Sequence, residues 1–329
     1  MNKKNIGDYF NEVLNEAKMN EDRIIHPTGL TVDSYDGRLK ISGEDNQMVM
    51  NDWAMGQFAS KLGIPARYYR MIPPELQAEN ANYFLKRLSE DRNWMLRTKH
   101  ADYGSGLIRG VLTEKYSPFD NHEIMDVVSN LMEKLNRDYE VQMWHHDDGS
   151  MHLRVTLDEL TTSVGKTLDG KDDIHKVGFH LSNSEVGKSM VRIQPMIYRQ
   201  VCTNGLMMWE KDGNGLEQRH VGLRSNEIYN RVAEAMVNSV KAGHEMVDSL
   251  IKAKEIKVEN PFDMIDKIAK DKKYTQKFTE TVKTEFKNEP QKSIFYVAQA
   301  FTAASRSLHA DERVEIEKDA AKILLSATR

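Results

Sequence analysis

The chain is short of most residues that fix a function class on sight. A single cysteine, Cys202, excludes an intrachain disulfide and any cysteine-rich zinc site, and it fits a reducing cytosol. Eight prolines and nineteen glycines are spread without a low-complexity tract, and no segment repeats. No apolar run approaches the roughly 20 residues of a membrane-spanning helix. The opening segment MNKKNIGDYFNEVLNEAK is charged and has no apolar stretch, so a secretory signal is not expected. Neither charge sign dominates: 46 Lys and Arg face 50 Asp and Glu, a net charge of −4. A soluble chain of 329 residues with 40% hydrophobic content has room for one large domain or two ordinary ones. Its eighteen methionines fall mostly at core-spaced positions and read as packing.

What is present is a change of character along the chain. Ile6, Phe10, Val13, Leu14 and Ala17 are spaced for a helix over 5–19. Asp36-Gly37 sits between Leu30-Thr31-Val32 and Leu39-Lys40-Ile41 and predicts a hairpin over 29–43. Helices follow over 48–62, 66–72 and 73–90, the last opening at Pro73-Pro74. Strands are expected at 94–99 and 106–113, then a helix that starts at Asp120-Asn121 with Glu123 in its first turn. Segments 139–145 and 150–157 form a hairpin around His146-Asp147-Asp148-Gly149, and 161–175 reads as an exposed loop. Further strands are expected at 176–182, 187–194, 197–202, 204–209 and 216–222. From Ser225 the pattern becomes helical, with a long helix to about Ile256 and further ones over 261–270, 273–288, 290–308 and 311–327. The expected fold is α+β: N-terminal helices packed on a mainly antiparallel sheet in a core domain over 1–223, then an all-α portion over 224–329.

Familiar chemistry is not visible. His145 and His152 lie on opposed strands of the predicted hairpin, yet HExxH, CxxC and paired carboxylate–histidine spacings are absent, so no metal is expected. Cys202 sits in a predicted strand and behaves as a small apolar residue rather than a nucleophile. Gly165-Lys166-Thr167 lacks the rest of a phosphate loop, and Ser184 lies outside a nucleophile elbow. No cofactor is called for. Charge is nonetheless uneven. Residues 92–115 hold 5 Lys/Arg against 2 Asp/Glu and residues 176–231 hold 8 against 5, whereas 116–175 hold 5 against 13. Arg97 and Lys99 share one strand face by the period of 2, Arg109 lies on the next strand, and Lys188, Arg192 and Arg199 lie on later ones. Rows of cations with interleaved tyrosines suit a single-stranded polyanion, in which phosphates meet the cations and bases stack on rings.

Four stretches resemble the phage/plasmid-related protein family, a family of unknown function carried by prophages and mobile elements. They are AMGQFASKLGIPARYY at Ala54–Tyr69, GLIRGVLTEKYSPFDN at Gly106–Asn121, the segment Gly178–Gly205 with Asn183-Ser184-Glu185-Val186-Gly187 and Cys202-Thr203-Asn204-Gly205, and Phe295–Leu325. Thr113-Glu114-Lys115 departs from the Ser-Asp-Arg more usual in the second. The resemblance implies a mobile-element protein in the cytoplasm of a bacterial host and supplies no catalytic residues. The order of elements is also loosely similar to phage single-strand annealing proteins.

The leading expectation is therefore a non-enzymatic protein that binds single-stranded DNA in recombination or replication, as a homo-oligomer and without a membrane. Arg97, Lys99, Arg109, Lys115, Lys188, Arg192 and Arg199 would meet phosphates. Tyr116 and Tyr198 would stack, and Asn183 and Asn204 would hydrogen-bond the sugar–phosphate chain. This requires the cations to gather on one solvent-facing surface. The alternatives are a factor that counters or recruits a host protein, and an enzyme with an unfamiliar site at Arg109, Asp120, Glu185 and Arg199.

Overall fold

A computed structural model describes residues 5–44, 47–88, 92–100, 106–200, 204–207, 215–221 and 225–328. The fold is α+β, with two sheets where one was expected. The chain opens with α1 (Ile6–Ala17), whose N-cap Asn5 exchanges hydrogen bonds with Asp8. It then lays down β1 (Asn20–Ile25), β2 (Leu30–Val32), β3 (Leu39–Ile41) and β4 (Gln47–Met50). Next come α2 (Asp52–Lys61), α3 (Ala66–Met71), α4 (Pro74–Leu85), β5 (Trp94–Lys99) and β6 (Leu107–Thr113). The first sheet has the order β1-β5-β6-β4-β3-β2 and is antiparallel except for β4 beside β6. Leu30, Leu39, Phe58, Tyr69, Trp94 and Ile108 make its core with the helices. Strand β4 was expected as the start of a helix. The helix instead begins after Asn51, whose side chain accepts from the Ala54 N–H.

After α5 (Asn121–Leu135) the chain builds the second sheet from β7 (Tyr139–His146), β8 (Met151–Lys166), β9 (Asp172–Asn183), β10 (Val191–Arg199), β11 (Asn204–Met207) and β12 (Leu216–Gln218). The order is β11-β10-β9-β8-β7, with β12 also paired to β10. The segment 161–175 is not an exposed loop: β8 and β9 continue through it as a hairpin arm, with register shifts after Thr156 and Ser163. The two strands expected at 187–194 and 197–202 are one strand, β10, with Pro195 inside it. Proline lacks a ladder N–H, but β12 ends opposite Ile193 and β11 begins opposite Met196. Between them β10 is, among the described residues, locally an edge, where proline is tolerated.

The helices α6 (Ser225–Glu255), α7 (Pro261–Asp271), α8 (Gln276–Asn288), α9 (Ile294–Ala304) and α10 (Ala310–Thr328) complete the molecule. One face of the second sheet, including Leu153, Val155, Phe179 and Ile193, packs on α1, α5 and the first half of α6. Farther along the sheet, Val164, Val177 and Ile197 share a core with Leu250, Phe295, Phe301 and Leu324 of the later helices. The expected division at 223/224 thus runs through a common hydrophobic core, and the helices act as the cover of this sheet. Where α6 crosses β9 the approach is so close that a Cβ on Gly243 would lie 2.0 Å from a Val177 methyl.

The other face of the second sheet is polar yet buried. His152, Arg154, Thr156, His180 and Ser182 are each under 5% exposed. Helix α10 lies over it, and Arg154 makes a bidentate ion pair with Glu317, both fully buried. No helix among the described residues is long and apolar enough to cross a membrane.

Candidate functional site

The predicted cations do not form one solvent-facing track. Arg97, Arg109 and Arg199 are 1%, 4% and 1% exposed. Arg97 is clasped by Asp22 at 2.8 Å and Asp120 at 2.7 Å, and Arg109 by Glu185 at 2.8 Å. Arg199 lies at the far end of the second sheet between Asp173 at 2.7 Å and Glu289 at 2.5 Å, with Lys254 on the same Asp173. The physical reason is burial on both faces: a bare arginine there would be prohibitively costly, so each is matched by carboxylates from other elements. Arg192 pairs with Glu217 at 2.9 Å and Lys188 with Asp311 at 2.5 Å; both line a small pocket of about 270 Å³ with His152 and Glu315. Lys99 is shared loosely between Glu16 and Asp148, and Lys115 is exposed. Tyr198 is buried against Val314. Asn183 is wholly buried, donating to the Phe119 carbonyl and the Asn121 side chain. The side chain of Asn204, and Cys202 entirely, lie outside the described residues.

What the structure does bring together is Arg97, Arg109, Asp120 and Glu185, at the seam between the sheets. Asp120 caps α5, reciprocated by Glu123, and the Glu185 carboxylate accepts the Asn121 N–H at 2.8 Å while holding Arg109. Burial opposes ionisation of Glu185, but Arg109 and Arg97 outweigh it and hold the carboxyl below its usual range. The carbonyl of Glu185 also accepts from Arg97 and from the Tyr116 hydroxyl. Trp53 and Gln57 of α2 both donate to the carbonyl of Val186. The turn 184–187 is therefore a peg from the second sheet driven into the first. Arg199, the fourth member of the imagined catalytic set, is elsewhere, and the three that meet brace the seam.

Above this peg lies an open, mainly apolar cleft of about 510 Å³, lined by Trp53, Gln57, Lys61 and Arg70 on the helices and Leu112, Tyr116 and Val221 opposite. Tyr116 is stacked on His220 with ring centroids 5.1 Å apart. Burial pushes the Tyr116 phenol up and the His220 imidazole down to about 4, so both are neutral at pH 7. Arg70 reaches Asp52 at 2.7 Å. Arg67 and Lys115 are exposed in segments whose neighbours line the cleft. Tyr116 and Lys115 belonged to the expected set. Trp53, Lys61, Arg67 and Arg70 did not, although Lys61 and Arg67 stand inside the quoted stretch Ala54–Tyr69 and Trp53 and Arg70 directly beside it.

A second polar cluster gathers where α10 starts. His145 and His152 are cross-strand partners on β7 and β8, as expected, and His152 stacks on His180 at 5.3 Å. His152 Nε2 lies 2.7 Å from Asp311, and burial holds the imidazole below its usual pKa against that carboxylate's pull. His180, fully buried beside Arg154, is lowered further. Burial works against ionisation of Asp311, but His152 and Lys188 hold its carboxyl well below the normal range. His309, just before α10, sits 3.4 Å from Asp147, which is itself 3.1 Å from His145. Residues 309–311 carry no local motif that would have revealed this meeting.

No curated protein and no solved structure matches the chain. A family model described as a domain of unknown function (DUF932) matches residues 109–318. That span begins at the Arg109 of the peg seam and runs through both sheet-two faces into α10, covering more than half of the sequence, and the chain belongs to this family.

Proposed function

We propose that the protein binds single-stranded nucleic acid in the cleft between α2, α3 and the end of β6, without catalytic chemistry. The observation that carries this reading is the composition of the cleft. Trp53 and Tyr116 line it with their polar atoms already satisfied by backbone carbonyls, and Lys61 and Arg70 stand on its rim. Base–aromatic stacking tolerates any sequence, and cations beside it take the phosphates. Asp52 is largely exposed and Arg70 partly so, and exchange of the carboxylate for a phosphate costs little. In this reading the chain acts for a phage or prophage in recombination or replication, in the host cytoplasm and as a homo-oligomer, and the buried arginines serve the frame.

The test is fluorescence anisotropy with a labelled oligothymidylate across a salt series. With Lys61, Arg67, Arg70 and Lys115 engaged, log K falls against log salt with a slope of about −2 to −3. The Arg67→Ala, Lys115→Ala double variant lowers that slope by about 1 without touching the core. Salt-independent binding, or a double variant indistinguishable from wild type, sinks the proposal.

One observation favours a second reading, a factor that docks on a host protein: Tyr68, Met71 and Tyr83 are 46%, 74% and 53% exposed on α3 and α4. A stoichiometric, nuclease-insensitive partner lost on Met71→Glu substitution would support it over the first.

A further inference from the structure

We propose that His145, Asp147 and His309 bind one divalent transition-metal ion of the Zn²⁺ class, which ties the start of α10 to the β7–β8 turn. This goes beyond the nucleic-acid reading and does not depend on it. Tetrahedral zinc with bonds of about 2.0–2.1 Å sets its ligand atoms about 3.4 Å apart. The Asp147 Oδ2 lies 3.1 Å from His145 Nε2 and 3.4 Å from His309 Nε2, and all three ligand atoms fall within 4.8 Å of one another. The two imidazoles cross nearly at right angles, 84°, with centroids 4.8 Å apart. Contraction of one edge completes the geometry, and water takes the fourth position on the exposed side.

The supporting groups are also placed for an ion. Asp147 Oδ1 accepts the N–H groups of Gly149 at 2.8 Å and Ser150 at 2.7 Å, which fixes the carboxylate and leaves Oδ2 facing the imidazoles. His309 Nδ1 accepts the Asp311 N–H at 3.4 Å, and Asp311 Oδ2 lies 3.7 Å away, near the ring but beyond hydrogen-bond reach. Asp311 is itself held by His152, Lys188 and Ser150. A cation at a helix N-terminus is disfavoured by the dipole, but Asp311 and Glu312 in the first turn of α10 offset this. Two nitrogens and one carboxylate suit Zn²⁺, Co²⁺ or Ni²⁺ better than Mg²⁺ or Ca²⁺. No metal spacing is visible in the sequence because the third ligand, His309, lies far along the chain, just before α10.

The experiment titrates the chelator-stripped full chain with Co²⁺ and then Zn²⁺, without nucleic acid, following visible absorption, calorimetry and thermal unfolding. One Co²⁺ per chain is expected, with a tetrahedral nitrogen–oxygen spectrum lost on Zn²⁺ addition, and Zn²⁺ raises the unfolding temperature. His145→Ala and His309→Ala abolish the spectrum and the shift. His100→Ala, at a histidine paired with Glu21 away from the cluster, leaves binding intact. The ligand histidines are 26% and 48% exposed, so their removal leaves the fold in place, which circular dichroism checks. No stoichiometric binding, binding unchanged in both alanine variants, or a thiolate charge-transfer band implicating Cys202 overturns the proposal.

Discussion

At the scale of the residue, buried charge is the main feature. Arg154 and Glu317 are each 0% exposed, and Arg313 adds a third bond to the same carboxylate. Removing one partner leaves an uncompensated charge, so Glu317→Gln costs about 3–5 kcal/mol in urea unfolding, far more than loss of an exposed pair such as Lys166–Asp172. Buried neutral histidines give a second consequence. Burial lowers His175 and His220 to about 4 from an ordinary 6.5. Their unfolded forms take up protons first, so the stability they confer is complete above pH 6.5 and is lost as pH falls toward 4. By pH 5 each has forfeited about 2 kcal/mol. Urea midpoints between pH 7 and 5 should drop accordingly, and His220→Phe should flatten the fall. None of this was legible in advance. Period-2 spacing placed Arg97 and Lys99 on a common strand face, but it cannot say that a face of the sheet carrying arginines is covered. The acidic run Asp311, Glu312, Glu315, Glu317, Asp319 is the available signal, but periodicity assigns 311–327 only as a helix and does not say what it covers.

At the scale of the element, helices were easier to read than strands. Apolar spacing announced α1, the Asp120-Asn121 cap announced α5, and the seam of α6 is visible in the sequence from Ile228 to Ser249. The polar arm 161–175 looked like a loop because one side faces solvent and its turn residues are ordinary. Its strands are set by pairing with each other and by Lys254 of α6 reaching the Val164 carbonyl. Contact between α6 and β9 gives a sharp test. Gly243→Ala improves helix propensity by about 1 kcal/mol, but overpacking against Val177 costs about 1–3 kcal/mol, so a net loss is expected. Adding Val177→Ala should recover much of it, and a double-mutant cycle in thermal unfolding would show that coupling. Additive effects would mean that the two side chains do not compete for the same space.

For the whole molecule, two of the sequence stretches quoted for their resemblance, Gly106–Asn121 and Gly178–Gly205, turn out to meet at the joint between the two sheets. Arg109, Tyr116 and Asn121 from one stretch meet Asn183, Ser184 and Glu185 from another. The α+β class was therefore readable, while the purpose of the motifs was not, since a brace and a binding face use the same residue types. Glu185→Gln should leave Arg97 and Arg109 short of negative charge at the seam. The first-sheet core would then unfold separately from the rest, and calorimetry should show two transitions where the native protein shows one. A single cooperative peak in that variant would mean that the remaining seam contacts suffice.

The position of α10 in the chain has a bearing on biogenesis. Every strand whose ionic side it neutralises is synthesised earlier, so a nascent chain shorter than 317 residues holds Arg154 with no counterion. The ribosome can deliver the first sheet in finished form, but the second stays open until its last acidic helix emerges from the exit tunnel. Any stalled or prematurely terminated product would display a half-neutralised sheet, which is the kind of surface that quality-control proteases meet first.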